Sequence, residues 1–147
     1  ILFLDDFFTS YRKTKLKKGQ FIHSIRIPLF KNNTFRAYKV SKRFDDDISS
    51  VCAAFNLEIA KNKVQSVRIA YGGMAAIPKR AIYCEKILLN SLVTEEIIHK
   101  AKKALEKDFK PISDMRASRL YRMEVAKNLL EKCCAEIKQK KLIGVYF

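Results

Sequence analysis

The residues best able to do chemistry lie in one run, Lys39-Val-Ser-Lys-Arg-Phe-Asp-Asp-Asp47, which gathers three cations, three carboxylates and an aromatic ring. A solvated loop with internal ion pairs, each worth about 0–1 kcal/mol at a surface, would use such residues too. Two features favour a binding role. The run carries more charge than a simple connection needs, and loops held by a rigid scaffold are where binding groups concentrate. Elsewhere the sequence has no GxGxxG, P-loop, GxSxG or HExxH motif. His23 and His99 are far apart in sequence, and neither adjoins a Cys or a carboxylate pair. His23 reads as a satisfied histidine in a strand, and His99 as a surface residue of a Lys-rich helix. The four cysteines (Cys52, Cys84, Cys133 and Cys134) form no CxxC pair. Cys133 and Cys134, adjacent on a helix, cannot both chelate one zinc comfortably, so each cysteine reads as a small apolar residue in a reducing compartment.

The charged run needs elements to hold it. Phe21, His23, Ile25 and Ile27 alternate with Ile22, Ser24 and Arg26, which predicts a strand ended by Pro28. Lys31-Asn-Asn33 marks a turn, and Phe35 to Lys39 reads as a second strand. Val51, Ala53, Phe55, Leu57 and Ile59 form the cleanest period-two stripe, and Val64, Val67, Ile69 and Tyr71 return after the turn Ala60-Lys-Asn-Lys63. Together they predict a hairpin, with Gly72-Gly73 permitting a tight exit. The charged run therefore sits at the rim of a sheet.

Past Pro78 the period becomes helical. Residues 81–90 read as a short helix. Thr94 caps a second, with Glu95 and Glu96 in its first turn, one face made of Ile97, Ala101, Ala104, Leu105 and Asp108, and Pro111 beyond its end. A third spans about Ser118 to Lys138, with Leu120, Val125, Leu129, Leu130 and Cys133 at helical spacing. The apolar tail Leu142–Phe147 reads as a docking segment or a remnant. Strands followed by helices give an α+β fold: an antiparallel sheet packed on one face by about three α-helices, in a single domain over residues 1–147.

Composition narrows the class. With 147 residues and 48% hydrophobic content, the chain can build a real core. No apolar run approaches the ~20 residues of a membrane helix, so no membrane association is expected. Thirty Lys and Arg against fifteen Asp and Glu give a formal charge of +15. That charge suits a basic nucleic-acid-binding module, with Phe and Tyr on strands available for stacking. It suits equally a subunit whose basic faces meet acidic partners or phosphate-bearing cofactors. Against nucleic acid, the cations are dispersed, and no RRM, KH or helix-turn-helix signature appears. The basic run Arg12 to Lys18 reads as a solvated loop. The start at Ile1, without Met, reads as a fragment of something longer.

Five stretches, in order, resemble the flavoprotein part of molybdenum hydroxylases, the xanthine dehydrogenase FAD-binding subunit above all. They are Leu4-Asp-Asp-Phe-Phe-x-x-Tyr-Arg-Lys-Thr14, Phe21-Ile-x-x-Ile-Arg-Ile-Pro28, Lys39 to Ile48, Val67-Arg-Ile-Ala-Tyr-Gly-Gly-Met-Ala75, and Asp114-Met-Arg-Ala-Ser-x-x-Tyr-Arg122. The resemblance implies a fold like the CO dehydrogenase flavoprotein C-terminal domain, without the N-terminal part that grips the FAD phosphates. It implies one component of a cytoplasmic oxidoreductase of purine catabolism. In that enzyme electrons leave a molybdenum cofactor, cross two [2Fe-2S] clusters in partner domains or subunits, and reach FAD and then NAD. The fragment alone would be inactive. By the same resemblance Lys39 is the flavin-contacting lysine, and His23 falls at a cofactor-contacting strand position, through its backbone. Arg43, Phe44 and Asp46 belong to a charged loop beside the isoalloxazine, with Asp46 the carboxylate that approaches the ring and tunes NAD access. Mammalian relatives carry arginine where Phe44 stands, so a switching role of that arginine does not carry over.

Overall fold

In the computed structural model, which describes residues 1–29, 34–43 and 48–139, the period-two stripe forms the middle of an antiparallel sheet. Strands β3 (Thr34–Val40), β4 (Val51–Ala60), β5 (Lys63–Gly72) and β6 (Lys79–Arg80) lie in sequence order. A short N-terminal unit precedes them: helix α1 (Leu4–Phe7), then β1 (Phe8–Ser10) paired with β2 (Lys13–Thr14). The β4–β5 hairpin closes through Lys61 and Asn62, both with positive φ (50° and 63°). Two consecutive left-handed residues give a two-residue turn the same twist as the strands it joins.

Val51, Ala53, Phe55 and Leu57 of β4 and Val64, Val67, Ile69 and Tyr71 of β5 are buried against helices α2 (Ile82–Leu88), α3 (Glu95–Asp108) and α4 (Arg119–Gln139). Rings line up along this face: Tyr38 meets Phe55, Phe55 meets Tyr71 edge-on, and Tyr71 meets Phe109, with centroids 5.3–5.8 Å apart. Thr94 caps α3 by accepting from the Ile97 N–H at 3.3 Å. The α+β architecture read from the sequence is the one observed, with three helices on one sheet face. Among the described residues, no helix is long and apolar enough to cross a membrane.

Four local expectations are corrected. Phe21–Ile27 is not a strand: the segment joins neither sheet, and Phe21, Ile22, Ile25 and Ile27 are all exposed. Alternation marks a segment able to pair, but a ladder also needs a neighbouring strand edge, and this segment has none here. Leu120 is 75% exposed rather than part of the apolar face of α4. The face buries Leu129, Leu130 and Cys133 as expected, together with Ala126 and Cys134, and adds the polar Arg122 and Glu136 that apolar periodicity does not mark. Cys52 is exposed, because its even position in β4 turns it away from the helices, whereas the other three cysteines are buried as expected. Part of the basic run, Lys13–Thr14, forms β2 rather than a loop. The turn at residues 31–33 and the tail Leu142–Phe147 lie outside the described residues.

Helix α2 is short, and its position rests on two buried carboxylates. Asp108, at the end of α3, accepts from the N–H groups of Tyr83 and Cys84 at 2.9 and 3.0 Å. Glu85 accepts from the Ile69 N–H at 2.8 Å and from Arg80. Replacing Asp108 by Ala leaves a buried donor (Cys84 N–H) and a half-buried one (Tyr83 N–H) at the start of α2 without partners. The D108A substitution is expected to cost about 2–3 kcal/mol, read as a lower urea midpoint with an unchanged denaturant slope.

Candidate functional site

Strands β3, β4 and β5 have a second face, which no helix among the described residues is packed on. In its register Lys39 stands opposite Cys52, and Cys52 opposite Gly72. The next row is Ala37, Ala54 and Ala70, and the third is Phe35, Asn56 and Arg68. Cross-strand partners point to the same side of a sheet, so these nine residues share the open face. Three strands span about 10 Å across, and over the first two rows the floor carries little beyond Cβ atoms, apart from the Cys52 thiol and the Lys39 chain. A flat molecule can approach such a floor closely. Lys39 is exposed at its edge, with no ion pair among the described residues.

The charged loop leaves from this corner. Its mouth is closed where the Ser50 N–H donates to the Val40 carbonyl at 2.8 Å. Lys42 and Arg43 are exposed at its start, and Lys42 Nζ reaches the Met115 carbonyl at 3.4 Å. The structure therefore brings Lys39 and Arg43 to one end of the sheet. Phe44 and Asp46 lie outside the described residues. His23 is exposed on the unpaired segment before β3, and no hydrogen bond or ion pair links it to Lys39.

A buried guanidinium fixes the roots of this corner. Arg122 of α4 is 3% exposed; its Nη1 donates to the carbonyls of Ser50 and Gly73, the latter at 3.0 Å, and its Nη2 donates to Asp114 Oδ1 at 2.6 Å. Asp114 also accepts from the N–H groups of Arg116 and Ala117, folding the α3–α4 connection back on itself. Ser50 Oγ donates to the Arg116 carbonyl at 3.3 Å. Gly73 has φ +79°, and a Cβ there would lie 2.3 Å from the Ser50 carbonyl oxygen. Sequence reasoning took Gly73 as a strand exit, and the positive φ there agrees with it. It missed Arg122 as the hub, although Asp114 eight residues before an Arg on a helix was the available signal.

Thiol chemistry is disfavoured in the core. Burial raises the Cys84 thiol strongly and pushes Cys133 up to about 12 and Cys134 up to about 11, so these groups stay protonated near neutrality. No cluster among the described residues could hold a metal ion. Of the aromatics on β3, β4 and β5, Phe55 and Tyr71 are buried and Tyr38 packs on Phe55, which leaves Phe35 as a single exposed ring rather than a row for successive bases. That removes the stacking platform a nucleic-acid module would need.

The profile of the CO dehydrogenase flavoprotein C-terminal domain matches residues 36–137. The chain is 39% identical over 110 residues to a xanthine dehydrogenase of Emericella nidulans, covering 72% of this chain and 8% of that one. It is 27% identical to the glyceraldehyde dehydrogenase medium chain of Sulfolobus acidocaldarius, covering 90% of this chain and 47% of the relative. In structure it is similar to the carbon monoxide dehydrogenase of Hydrogenophaga pseudoflava, with TM-score 0.79 and 24% identity over 86% of this chain and 44% of that one. The chain thus spans about half of the medium chains it matches and a small part of the xanthine dehydrogenase.

Two outcomes follow from the Arg122 clasp. Gly73→Ala is expected to combine about 1–2 kcal/mol for a left-handed backbone with Cβ and about 1–3 kcal/mol for the clash with Ser50, measured by chemical denaturation. The second concerns pH. The Arg116 N–H first, and the Arg122 guanidinium after it, hold the Asp114 carboxyl below its usual range. Its contribution to stability is therefore complete above the unfolded-chain value and is lost as pH falls through the lower folded value. Denaturation midpoints of the native chain should fall across the acid limb, and Asp114→Asn should flatten that limb; equal slopes for both proteins would contradict the clasp.

Proposed function

The chain belongs to the CO dehydrogenase flavoprotein C-terminal domain family, and from that premise we propose that it is the C-terminal part of the FAD-binding component of a xanthine dehydrogenase-like oxidoreductase. The observation that carries this reading is the pairing of an uncovered, small-residue sheet floor with an unpaired lysine at its edge. Ala37, Ala54, Ala70 and Gly72 leave room for a planar ring to lie close to the backbone, so the residues fit an isoalloxazine. FAD, when bound, supplies the electron acceptance and release that side chains of this kind do not.

What the chain contributes is position and charge. The Lys39 ammonium, on its strand, is a fixed cation for negative charge that develops on the ring upon reduction. Arg43, Phe44 and Asp46 edge the same ring from the charged loop, with Asp46 the carboxylate that governs approach of NAD. His23 contributes through its backbone. The FAD phosphates are gripped by another part of the component. The molybdenum cofactor and the [2Fe-2S] clusters reside in partner subunits or domains, and the complex delivers electrons to NAD. Free, buried thiols suit a reducing cytoplasm, and purines are the expected substrate class.

The test is a redox titration of the flavin-containing protein that includes this chain. A cation near a ring that gains negative charge raises its reduction potential. Lys39→Ala should therefore lower the two-electron potential by about 30 mV, equivalent to about 1.4 kcal/mol, while Lys39→Arg should hold it near the native value. A colourless native protein, or a potential that Lys39→Ala does not move, would count against the assignment.

A further inference from the structure

Lys39 has to act from the end of an edge strand. β3 pairs with β4 on one side, and its other edge meets no strand among the described residues. An edge strand is held by one ladder instead of two and leaves a row of backbone groups unpaired, so a charge fixed at Lys39 needs support from the helix side. That support stands one residue earlier. Arg36 and Tyr38 lie on the helix-facing side of β3, opposite Phe55 and Ala53, and both reach Glu136 of α4. Tyr38 Oη donates to Glu136 Oε2 at 2.9 Å, and Arg36 Nε donates to the same oxygen at 3.1 Å. Lys132, one helical turn before Glu136, stands 3.9 Å from its Oε1 and 5.3 Å from the centre of the Tyr38 ring. Burial, and after it the bond to Glu136, hold the Tyr38 phenol well above its usual range, so it stays a donor near neutrality.

We infer that Glu136 and Tyr38 are positioning residues for Lys39: the carboxylate, acting through the Tyr38 hydroxyl, sets where the strand end that carries Lys39 lies against the flavin ring. The flavin reading above supplies what Lys39 does, and the positioning rests on that reading; three observations carry the rest. The first is burial, since Glu136 is 1% exposed. A carboxylate that deep is tolerated only when paired and hydrogen-bonded, and here the partners Tyr38 and Arg36 come from β3, 98 and 100 residues away. An apolar residue at this place on α4 would fill the core without gripping the strand. The second is adjacency. Tyr38 precedes Lys39, and alternation sends the two side chains to opposite faces of one strand, so a shift of one moves the other. The third is that the following residue is anchored too. Val40 packs against the core, and its carbonyl accepts from the Ser50 N–H at 2.8 Å. Lys39 is therefore bracketed, by α4 through Glu136 on one side and by the Ser50 that Arg122 holds on the other. Attraction between an ammonium and a charged ring falls with their separation, and supporting groups of this kind keep a site residue at its working distance.

The test is a redox titration of the flavin-containing protein that includes this chain, run on Tyr38→Phe, Glu136→Gln, Lys39→Ala and the double variant Tyr38→Phe with Lys39→Ala. Tyr38→Phe removes one hydroxyl, keeps the ring against Phe55 and changes no charge. It should lower the ratio of reduced to oxidised flavin at a fixed potential by about threefold, about 14 mV for a two-electron couple, and Glu136→Gln should shift it the same way. Tyr38→Phe should add nothing once Lys39 is gone, a coupling that the double-mutant cycle isolates. A lower denaturation midpoint with an unmoved potential in Tyr38→Phe would make the contact structural only and overturn the proposal. A potential that rises in Glu136→Gln would do the same, because that sign belongs to an anion acting through space rather than through Tyr38. Equal Tyr38→Phe shifts with and without Lys39 would also overturn it. Lys39→Ala separates the two readings. If it moves the potential and Tyr38→Phe does not, the positioning fails and the flavin assignment stands; if it moves nothing, or the native protein is colourless, both fall.

Discussion

A guanidinium buried to 3% exposure is costly unless its charge is paired and hydrogen-bonded, because the charge leaves water for a weakly polarisable interior. Arg122 meets that condition by collecting backbone carbonyls from the β3–β4 loop and from the end of β5, together with a carboxylate from the α3–α4 connection. Only its Nε is without a partner. Three segments distant in sequence are thereby held at one point, and each has little freedom left. Ser50 must present its carbonyl there, which places the closing residue of the charged loop. Gly73 must lack a Cβ, since the Ser50 oxygen occupies that space. The connection must turn at Asp114, which exposes the side chains that follow it.

The same geometry explains why one face of the sheet is rich in large residues and the other in small ones. Odd positions of β4 enter the core with Phe55 and Leu57, and even positions return as Cys52, Ala54 and Asn56. A sheet with helices on one side could carry long polar chains on the other, as solvated antiparallel sheets commonly do. Here the two rows nearest the loop hold Ala37, Ala54, Ala70 and Gly72 instead, and the long polar residues Asn56 and Arg68 begin only in the third row. That gradient places an approachable floor next to the lysine and the charged loop, and side chains that reach outward away from them.

How much of this could be read from the residues depended on whether each signal was local. The β4–β5 hairpin was legible because strict alternation flanks a turn, and α3 because Thr94, its acidic first turn and Pro111 bound it. The resemblance of Lys39 to Ile48 located the corner that the sheet register then built, although Phe44 and Asp46 lie outside the described residues. Face assignment on α4 held for Leu129, Leu130 and Cys133 but failed for Leu120, for a physical reason. Its buried side includes Arg122 and Glu136, whose partners Asp114, Ser50, Gly73, Arg36 and Tyr38 lie in other elements. Long-range polar pairing leaves no period in a sequence, so the helix looked weakly amphipathic and Leu120 was drawn inward. The segment at residues 21–27 failed in the opposite sense: its pattern was right for a strand, but strand formation is a property of two segments.

The charge balance ties these observations together. The sequence holds thirty cations against fifteen acids, and many of the acids are committed within the fold. Glu85 takes Arg80, Glu136 takes Arg36, Asp114 takes Arg122, Glu131 takes Lys102 and Glu106 takes Lys127. Acids spent in this way cannot neutralise the remaining cations, so the surplus must face outward. A uniform surplus would only raise solubility and self-repulsion. Instead, cations without ion-pair partners among the described residues stand at particular places: Lys39 at the small-residue floor, and Lys110 and Arg119 at a groove that Glu106, Glu124 and Lys127 also line. An unpaired cation beside uncharged surface sits in a lower local dielectric than one in open solvent, so an incoming anion gains more from it. Lys42 and Ser50 donate to the carbonyls of Met115 and Arg116, so the sheet corner beside Lys39 and the α3–α4 connection form one preorganised edge.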